Sequence, residues 1–339
     1  MIVVMEKSAS SDDANQVKQR IQHLGYKPHS VRFERQGANG REHQTMEAPQ
    51  TLQELPGVVE VLKGSTEEKL ASRESKQKDT QVRVRDVVFG DGNAVMIGGP
   101  CAVETKQQLL DVALRVRDSG AQILRGGAFK PRTSPYSFQG LGERGLEMLA
   151  EISERIGLPV VTEAVDRVAA RLVADYADMI QIGTRNMQNF SLLEEVGKLD
   201  KPVMLKRGMS ATLKETLSSA EYIMSNGNSD VVICERGIRT FNDHSRNTLD
   251  LGFIPALKSE SHLPVIVDPS HATGRRDSIL PMAYAALGAG ADGIMVDVHT
   301  DPEHAKVDAM QAIIPEEFDE MMTNLRKIAE VLGRKIGAY

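Results

Sequence analysis

Between residues 94 and 296 short apolar runs alternate with longer stretches that mix polar and apolar positions. The runs are AVMIG (94–98), AQIL (121–124), PVVT (159–162), MIQI (179–182), PVML (202–205), DVVIC (230–234), PVIV (264–267) and GIMV (293–296). Each is brief and mostly apolar, which is how a buried parallel strand reads. Helical periodicity fills the intervals. Near 105–118 it places Leu109, Val112, Ala113 and Val116 on one face. Near 316–332 it aligns Phe318, Met321, Met322, Leu325, Ile328, Val331 and Leu332. Both stripes are read as packing faces against a central sheet. Eight strands alternating with helices predict an α/β fold, a (β/α)8 TIM barrel. Immediately upstream, VRVRDVVFGDGNAVMI (82–97) alternates in polarity. It predicts a hairpin that turns at Gly90–Gly92 and closes the bottom of the barrel.

The pattern over residues 1–62 is different. IVVM (2–5) predicts a strand, and Ser11 caps a helix that carries Val17, Ile21 and Leu24 and ends at Gly25. Strands near 28–34 and 41–47, a short helix around 50–55 and GVVEVL (57–62) complete a βαββαβ order, the ferredoxin-like pattern. Residues 63–80 are charged and poor in apolar groups, so they are assigned to an exposed connector. The barrel with its hairpin occupies 81–339.

Nearly every apolar run leads into a chemically capable residue: Cys101, then Arg125 and Lys130, Glu163, Arg185, Lys206, Arg236, Asp268 and His271, and Asp297. Charges at the C-terminal ends of parallel strands are how such a barrel builds a site. The formal net charge of −6 argues against general binding of nucleic acid, so these cations form a local cluster in an acidic protein. Aromatic residues make up only 4% and Trp is absent, which suits an aliphatic barrel core. No apolar stretch has membrane-spanning length and no signal peptide is evident. With two cysteines in all, a cytoplasmic enzyme with reduced thiols is expected.

Two constellations stand out. Cys101, His271, Asp297 and Asp308 follow the first, seventh and eighth runs, and the first and eighth strands of a closed barrel are neighbours. One thiolate, one imidazole and two carboxylates suit a borderline divalent ion such as Mn, Fe, Co or Zn. The alternative is a small buried cysteine beside a satisfied loop histidine. Cys234 lies inside a run and is read as core. The second constellation is cationic: Arg125, Lys130, Arg132, Arg185, Lys206 and Arg236, with Arg275 and Arg276 after the seventh run. A lone strand-end Arg is usually an ion-pair partner, but this many point to more than one phosphate or carboxylate. The glycines of RGGAFKPRTSPYSFQG and IGGPC suit tight loops, and neither stretch is a Walker or dinucleotide motif.

GGPCAVE (98–104), LRGGAFKPRTSPYSFQGLG (124–142), IGTRNMQN (182–189), LKRG (205–208), CERGIRTF (234–241) and VDPSHATGRR (267–276) closely resemble the 3-deoxy-D-arabino-heptulosonate 7-phosphate (DAHP) synthase family. The resemblance is to the short microbial subclass shared with 3-deoxy-D-manno-octulosonate 8-phosphate (KDO8P) synthase, and it covers about residues 82–312. By pattern, residues 1–62 resemble that family's ferredoxin-like regulatory extension.

The resemblance implies a transferase that condenses phosphoenolpyruvate with erythrose 4-phosphate, the first step of aromatic amino-acid biosynthesis. It implies that Arg185, Lys206 and Arg236 hold the phosphoenolpyruvate phosphate, and that Arg125 and Lys130 hold its carboxylate and reach the reacting centre. Arg132 and Thr133 resemble the erythrose 4-phosphate contacts, and Glu163 the carboxylate that positions a water. Lys130 is expected to act as acid, Glu163 or a metal-bound water as base, and Cys101, His271, Asp297 and Asp308 to hold the metal. Two positions depart from the pattern, Asp297 where the family has Glu and Ala309 where it has Gly. The rival readings are KDO8P synthase acting on arabinose 5-phosphate, which KPRTS (130–134) disfavours, and a non-catalytic regulatory homologue. A feedback effector, an aromatic amino acid or later shikimate-pathway product, and a homodimer or homotetramer are further expectations.

Overall fold

The computed structural model describes residues 2–6, 8–25, 28, 50–62, 70–131 and 134–336. At the N-terminus β1 (Ile2–Met5) pairs antiparallel with β2 (Val58–Leu62). Between them lie α1 (Ser11–His23) and α2 (Gln50–Gln53). Ser10, one residue before the expected cap, closes a capping box with Asp13. The strands expected near 28–34 and 41–47 fall almost wholly outside the described residues.

A hairpin of β3 (Val82–Val84) and β4 (Val87–Phe89) follows. Its turn is at Arg85–Asp86, not at the glycines. Arg85 takes a left-handed φ of 53° that its side chain disfavours. The position is held from outside, because Arg85 Nε donates to Asp178 at 2.7 Å and Nη2 to Ser153 at 3.1 Å. Gly90 and Gly92 serve the exit into the barrel. Val82, Val84, Val87 and Phe89 are buried in one cluster with Val95, Ile97, Met179, Met204, Cys234 and Met295. The hairpin is thus a stopper in the barrel floor, and Cys234 is a core residue.

Eight parallel strands close the barrel: β5 (Val95–Gly99), β6 (Ile123–Arg125), β7 (Val160–Ala164), β8 (Met179–Ile182), β9 (Val203–Lys206), β10 (Val231–Glu235), β11 (Val265–Val267) and β12 (Gly293–Asp297). The helices α3 (Lys106–Ser119), α4 (Glu143–Ile156), α5 (Arg167–Tyr176), α6 (Phe190–Val196), α7 (Leu213–Ser225), α8 (Phe253–Glu260), α9 (Pro269–Thr273), α10 (Arg276–Gly288) and α11 (Pro315–Val331) surround it. The stripe on α3 is buried as the periodicity requires, and so is that on α11 as far as Leu325, with Ile328 half-buried. Val331 and Leu332 are exposed, because α11 runs off the barrel at its end.

The charged segment assigned to a connector over 63–80 is, from residue 70 onward, fastened to the barrel floor. Leu70 and Ala71 donate their backbone N–H groups to the Glu221 carboxylate. Ser261 donates to Ala71 O at 2.5 Å, and Thr80 N–H to His262 O at 2.7 Å. His262 is bonded on both sides, Nδ1 to Thr80 Oγ1 and Nε2 to Leu70 O, each at 2.7 Å. Polar composition misled here because hydrogen bonds hold most of the segment, with Ala71 buried in the core and Leu70 packed against it.

Candidate active site at the barrel mouth

The closure of the sheet brings three strand ends together. Asp297, last in β12, pairs in register with Gly99, last in β5, and Arg125 is last in β6. Gly99 has φ 153°, and a Cβ there would lie 2.0 Å from Arg125 O. Only glycine lets the β5 and β6 ends approach so closely. Two residues on, Cys101 sits buried, its carbonyl receiving the Lys130 Nζ at 2.7 Å and its sulfur 3.3 Å from the same ammonium.

VDPSHATG folds into the short α9, whose form follows from its residues. Asp268 is the N-cap and accepts the His271 N–H at 2.9 Å, Pro269 opens the helix and Gly274 ends it with φ 66°. This turn points His271 Nε2 at Cys101 Sγ, 3.8 Å away, and at Asp308 Oδ2, 3.8 Å away. Cys101 Sγ and Asp308 Oδ2 are 3.5 Å apart. Asp308 takes a left-handed φ of 53°, tolerable for Asp, and Arg246 steadies its carboxylate at 3.5 Å. Ala309 begins a short 3-10 turn at an ordinary negative φ, so nothing there demands the family's glycine.

A thiol, an imidazole and a carboxylate with mutual spacings under 4.8 Å form a donor set that fits a borderline divalent ion. Burial pushes the Cys101 thiol up to about 12, with Asp297 adding to the rise and Lys130 and Arg125 opposing it. A bound cation reverses that balance, since a coordinated thiol is deprotonated. Burial also holds His271 below its ordinary value, which keeps Nε2 free to coordinate. Asp268 lies 2.8 Å from Nδ1 and takes Lys206 Nζ at 2.5 Å. A carboxylate behind a ligand histidine fixes the ring and its tautomer.

The cations occupy the same mouth. Arg125, Lys206 and Arg236 are buried, and Arg125 Nε and Arg236 Nη1 find no hydrogen-bond partner among the described residues. Burial pulls the Arg236 guanidinium below its ordinary value. Arg207, beside Lys206, is consumed structurally: it pairs with Glu235 and Asp250 at 2.9 Å each and stacks on Phe253. Arg185, unlike Arg125, Lys206 and Arg236, is exposed, along an open cleft of ≈ 330 Å³ with Thr184, Met187, Gly208, Met209 and Glu215. Glu163 accepts from Gln181 at 3.2 Å, and a Cβ on Gly183 would fall 2.0 Å from its Oε1. Arg132 and Thr133 lie outside the described residues.

Of the four expected metal ligands, Cys101, His271 and Asp308 converge. Asp297 does not join them: Arg125 and Gln311 hold its carboxylate. Sequence reasoning missed the supporting roles of Asp268, Gln311 and Arg246. Asp268 alone carried a local signal, as the cap before Pro269.

The fold and the mouth together define a (β/α)8-barrel enzyme that gathers anionic substrates beside a divalent-metal donor set. Residues 70–332 match the DAHP synthetase I family and residues 1–63 the DAHP synthase ferredoxin-like domain, so the chain belongs to the DAHP synthase family. It is 44% identical over 340 residues to a phospho-2-dehydro-3-deoxyheptonate aldolase of Thermotoga maritima, covering 99% of this chain and 100% of the relative. A 2-dehydro-3-deoxyphosphooctonate aldolase of Syntrophobacter fumaroxidans is 28% identical over 267 residues, 74% of this chain and 92% of the relative. The solved Thermotoga maritima DAHP synthase superposes with a TM-score of 0.79 at 41% identity, covering 99% of this chain and 98% of that one. A truncated form of that enzyme matches 80% of this chain and 99% of its own, with a TM-score of 0.75 at 46% identity.

Proposed function

We propose that the chain is a DAHP synthase, a transferase that joins phosphoenolpyruvate to erythrose 4-phosphate with release of phosphate at the head of aromatic amino-acid biosynthesis. The carrying observation is the pair of buried guanidinium groups with orphaned N–H donors, Arg125 and Arg236, beside the Cys101, His271 and Asp308 donor set. Buried guanidinium N–H groups left without an acceptor are costly unless a ligand completes them. Phosphoenolpyruvate brings both a phosphate and a carboxylate. Lys206 and Arg236 take the phosphate, with Arg185 at the rim. Arg125 and Lys130 take the carboxylate.

C3 of phosphoenolpyruvate forms the new bond to the aldehyde carbon, the aldehyde oxygen takes a proton, and C2 accepts water. The resulting hemiketal phosphate loses inorganic phosphate by C–O cleavage. Lys130 has its ammonium beside Cys101 and donates to the developing alkoxide. Glu163, oriented by Gln181, positions the water and accepts its proton. Cys101, His271 and Asp308 would hold a divalent ion, Mn, Fe, Co or Zn, which would supply Lewis-acid polarisation of the aldehyde oxygen. Arg132 and Thr133, in KPRTS, grip the four-carbon sugar phosphate.

The N-terminal domain is proposed as a feedback sensor for an aromatic amino acid or a later pathway product, in a homo-oligomeric enzyme of the cytoplasm. Among the described residues no helix is long and apolar enough to cross a membrane.

Purified protein given both substrates should release phosphate, stop on chelation and recover when a divalent ion is returned. Full activity after chelation would defeat the metal assignment, and no phosphate release under any loading would defeat the activity.

A further inference from the structure

We infer that Asp297 is the anchor of Arg125 and not a metal ligand, so that the metal centre has three protein ligands. The inference rests on the metal-dependent reading above and narrows it.

Three donors already stand at ligand spacing. Cys101 Sγ, His271 Nε2 and Asp308 Oδ2 are separated by 3.8, 3.5 and 3.8 Å. With metal–sulfur bonds near ~2.3 Å and metal–nitrogen or –oxygen bonds near ~2.1 Å, such separations are the edges of one face of a coordination polyhedron. Asp297 is outside that triangle. Its nearest approach to the histidine is 3.6 Å to Nδ1, the nitrogen opposite the one that faces Cys101 and Asp308.

The Asp297 carboxylate is also fully engaged. Oδ1 accepts from Arg125 Nη1, and Oδ2 accepts from Gln311 Nε2 at 2.7 Å. Its own backbone N–H is fixed by Ser270 Oγ at 3.0 Å. Asp297 and Arg125 are both buried, with side-chain exposures of 1% and 4%. Swinging the carboxylate to the metal would strip Arg125 of the one carboxylate partner it has among the described residues, where Nε is already unpartnered. Removing one member of a buried pair leaves an uncompensated charge, which is strongly unfavourable. An aspartate's short stem keeps its carboxylate on the guanidinium. Coordination positions beyond the three ligands are then open to water and to a substrate oxygen, as catalytic metal sites require.

Asp297 is on this account a positioning residue. It turns Arg125 so that the remaining N–H groups face the substrate carboxylate. Losing it should disturb substrate binding and leave the metal in place.

The test is Co(II) affinity of metal-stripped full-length protein, measured by competition with a chelator. Wild type should bind Co(II), and Asp308→Asn should weaken binding by about 100-fold or more. Asp297→Asn should stay within about threefold of wild type in metal affinity, yet raise KM for phosphoenolpyruvate about tenfold with a smaller change in kcat. Asp297→Asn losing as much Co(II) affinity as Asp308→Asn would overturn the inference while leaving the metal reading standing. Wild type that binds no Co(II) would overturn both. Should Asp297→Asn not fold, Mn(II)-loaded wild type decides the matter. About three exchangeable inner-sphere waters, counted by oxygen-17 broadening, support a three-ligand centre and two or fewer refute it.

Discussion

At the residue scale the site is a balance between buried cations and the acids that hold them. Lys206 is answered by Asp268, Arg125 by Asp297 and Arg207 by Glu235, while Arg236 has no ion-pair partner among the described residues. Arg236 is therefore the cation most dependent on substrate. Arg236→Ala should raise KM for phosphoenolpyruvate and lower kcat/KM by about 10- to 100-fold, the worth of one charge-assisted hydrogen bond of roughly 1.5–3 kcal/mol. Arg236→Lys should recover only part of it, because an ammonium cannot reproduce the planar fork. Steady-state kinetics at saturating sugar phosphate checks both. Most of these side chains were legible in the sequence, since each stands at or just after an apolar run. What was not legible is who holds whom. Gln311 and Arg246 lie far from any strand end in sequence and matter only through where the loop after β12 places them. The engagement of Asp297 by Arg125 and Gln311 is likewise a property of geometry.

At the element scale the alternation of apolar runs and helical stripes predicted the barrel because parallel strands are buried on both faces. It predicted the hairpin but not its turn, because the turn at Arg85–Asp86 goes against local propensity and is held by Asp178 and Ser153. The floor strap at 70–80 was hidden for a related reason: beyond Leu70 and Ala71 it is fastened by hydrogen bonds to Glu221, Ser261 and His262. His262 makes the strap sensitive to acid. Burial lowers its pKa from 6.5 to about 4, and both ring nitrogens are committed to Thr80 and Leu70. The unfolded chain protonates this histidine below its ordinary pKa, whereas the folded chain resists until much lower. The stabilisation is thus complete above pH ~6.5 and is lost as the pH falls towards ~4, with a difference on the order of 2 kcal/mol between pH 7 and pH 5. Denaturant midpoints at those two pH values should therefore fall further for wild type than for His262→Gln. Equal losses would remove His262 as the cause.

At the scale of the whole molecule the chain combines a (β/α)8 barrel with an N-terminal ferredoxin-like domain that supplies none of the described residues of the mouth. The match of a truncated Thermotoga maritima enzyme to 80% of this chain shows that a barrel of this kind is a structural unit in a relative. Removing residues 1–62 should leave phosphate release intact and abolish inhibition by whichever aromatic amino acid or pathway product inhibits the full chain. A sensor acts only by binding its effector more tightly in the inhibited arrangement. If full-length enzyme ignores tyrosine, phenylalanine, tryptophan, chorismate and prephenate alike, the small domain serves stability or assembly instead. The sequence announced that domain by its βαββαβ order, and the family match to residues 1–63 agrees with it.

The central claim is that the mouth joins phosphoenolpyruvate to a four-carbon sugar phosphate. The measurement that tests it most directly is kcat/KM for erythrose 4-phosphate against arabinose 5-phosphate, at saturating phosphoenolpyruvate and with the divalent ion restored. A preference for erythrose 4-phosphate of about 100-fold or more is expected, because discrimination built on hydrogen-bonded contacts is large. A higher kcat/KM for arabinose 5-phosphate would contradict it.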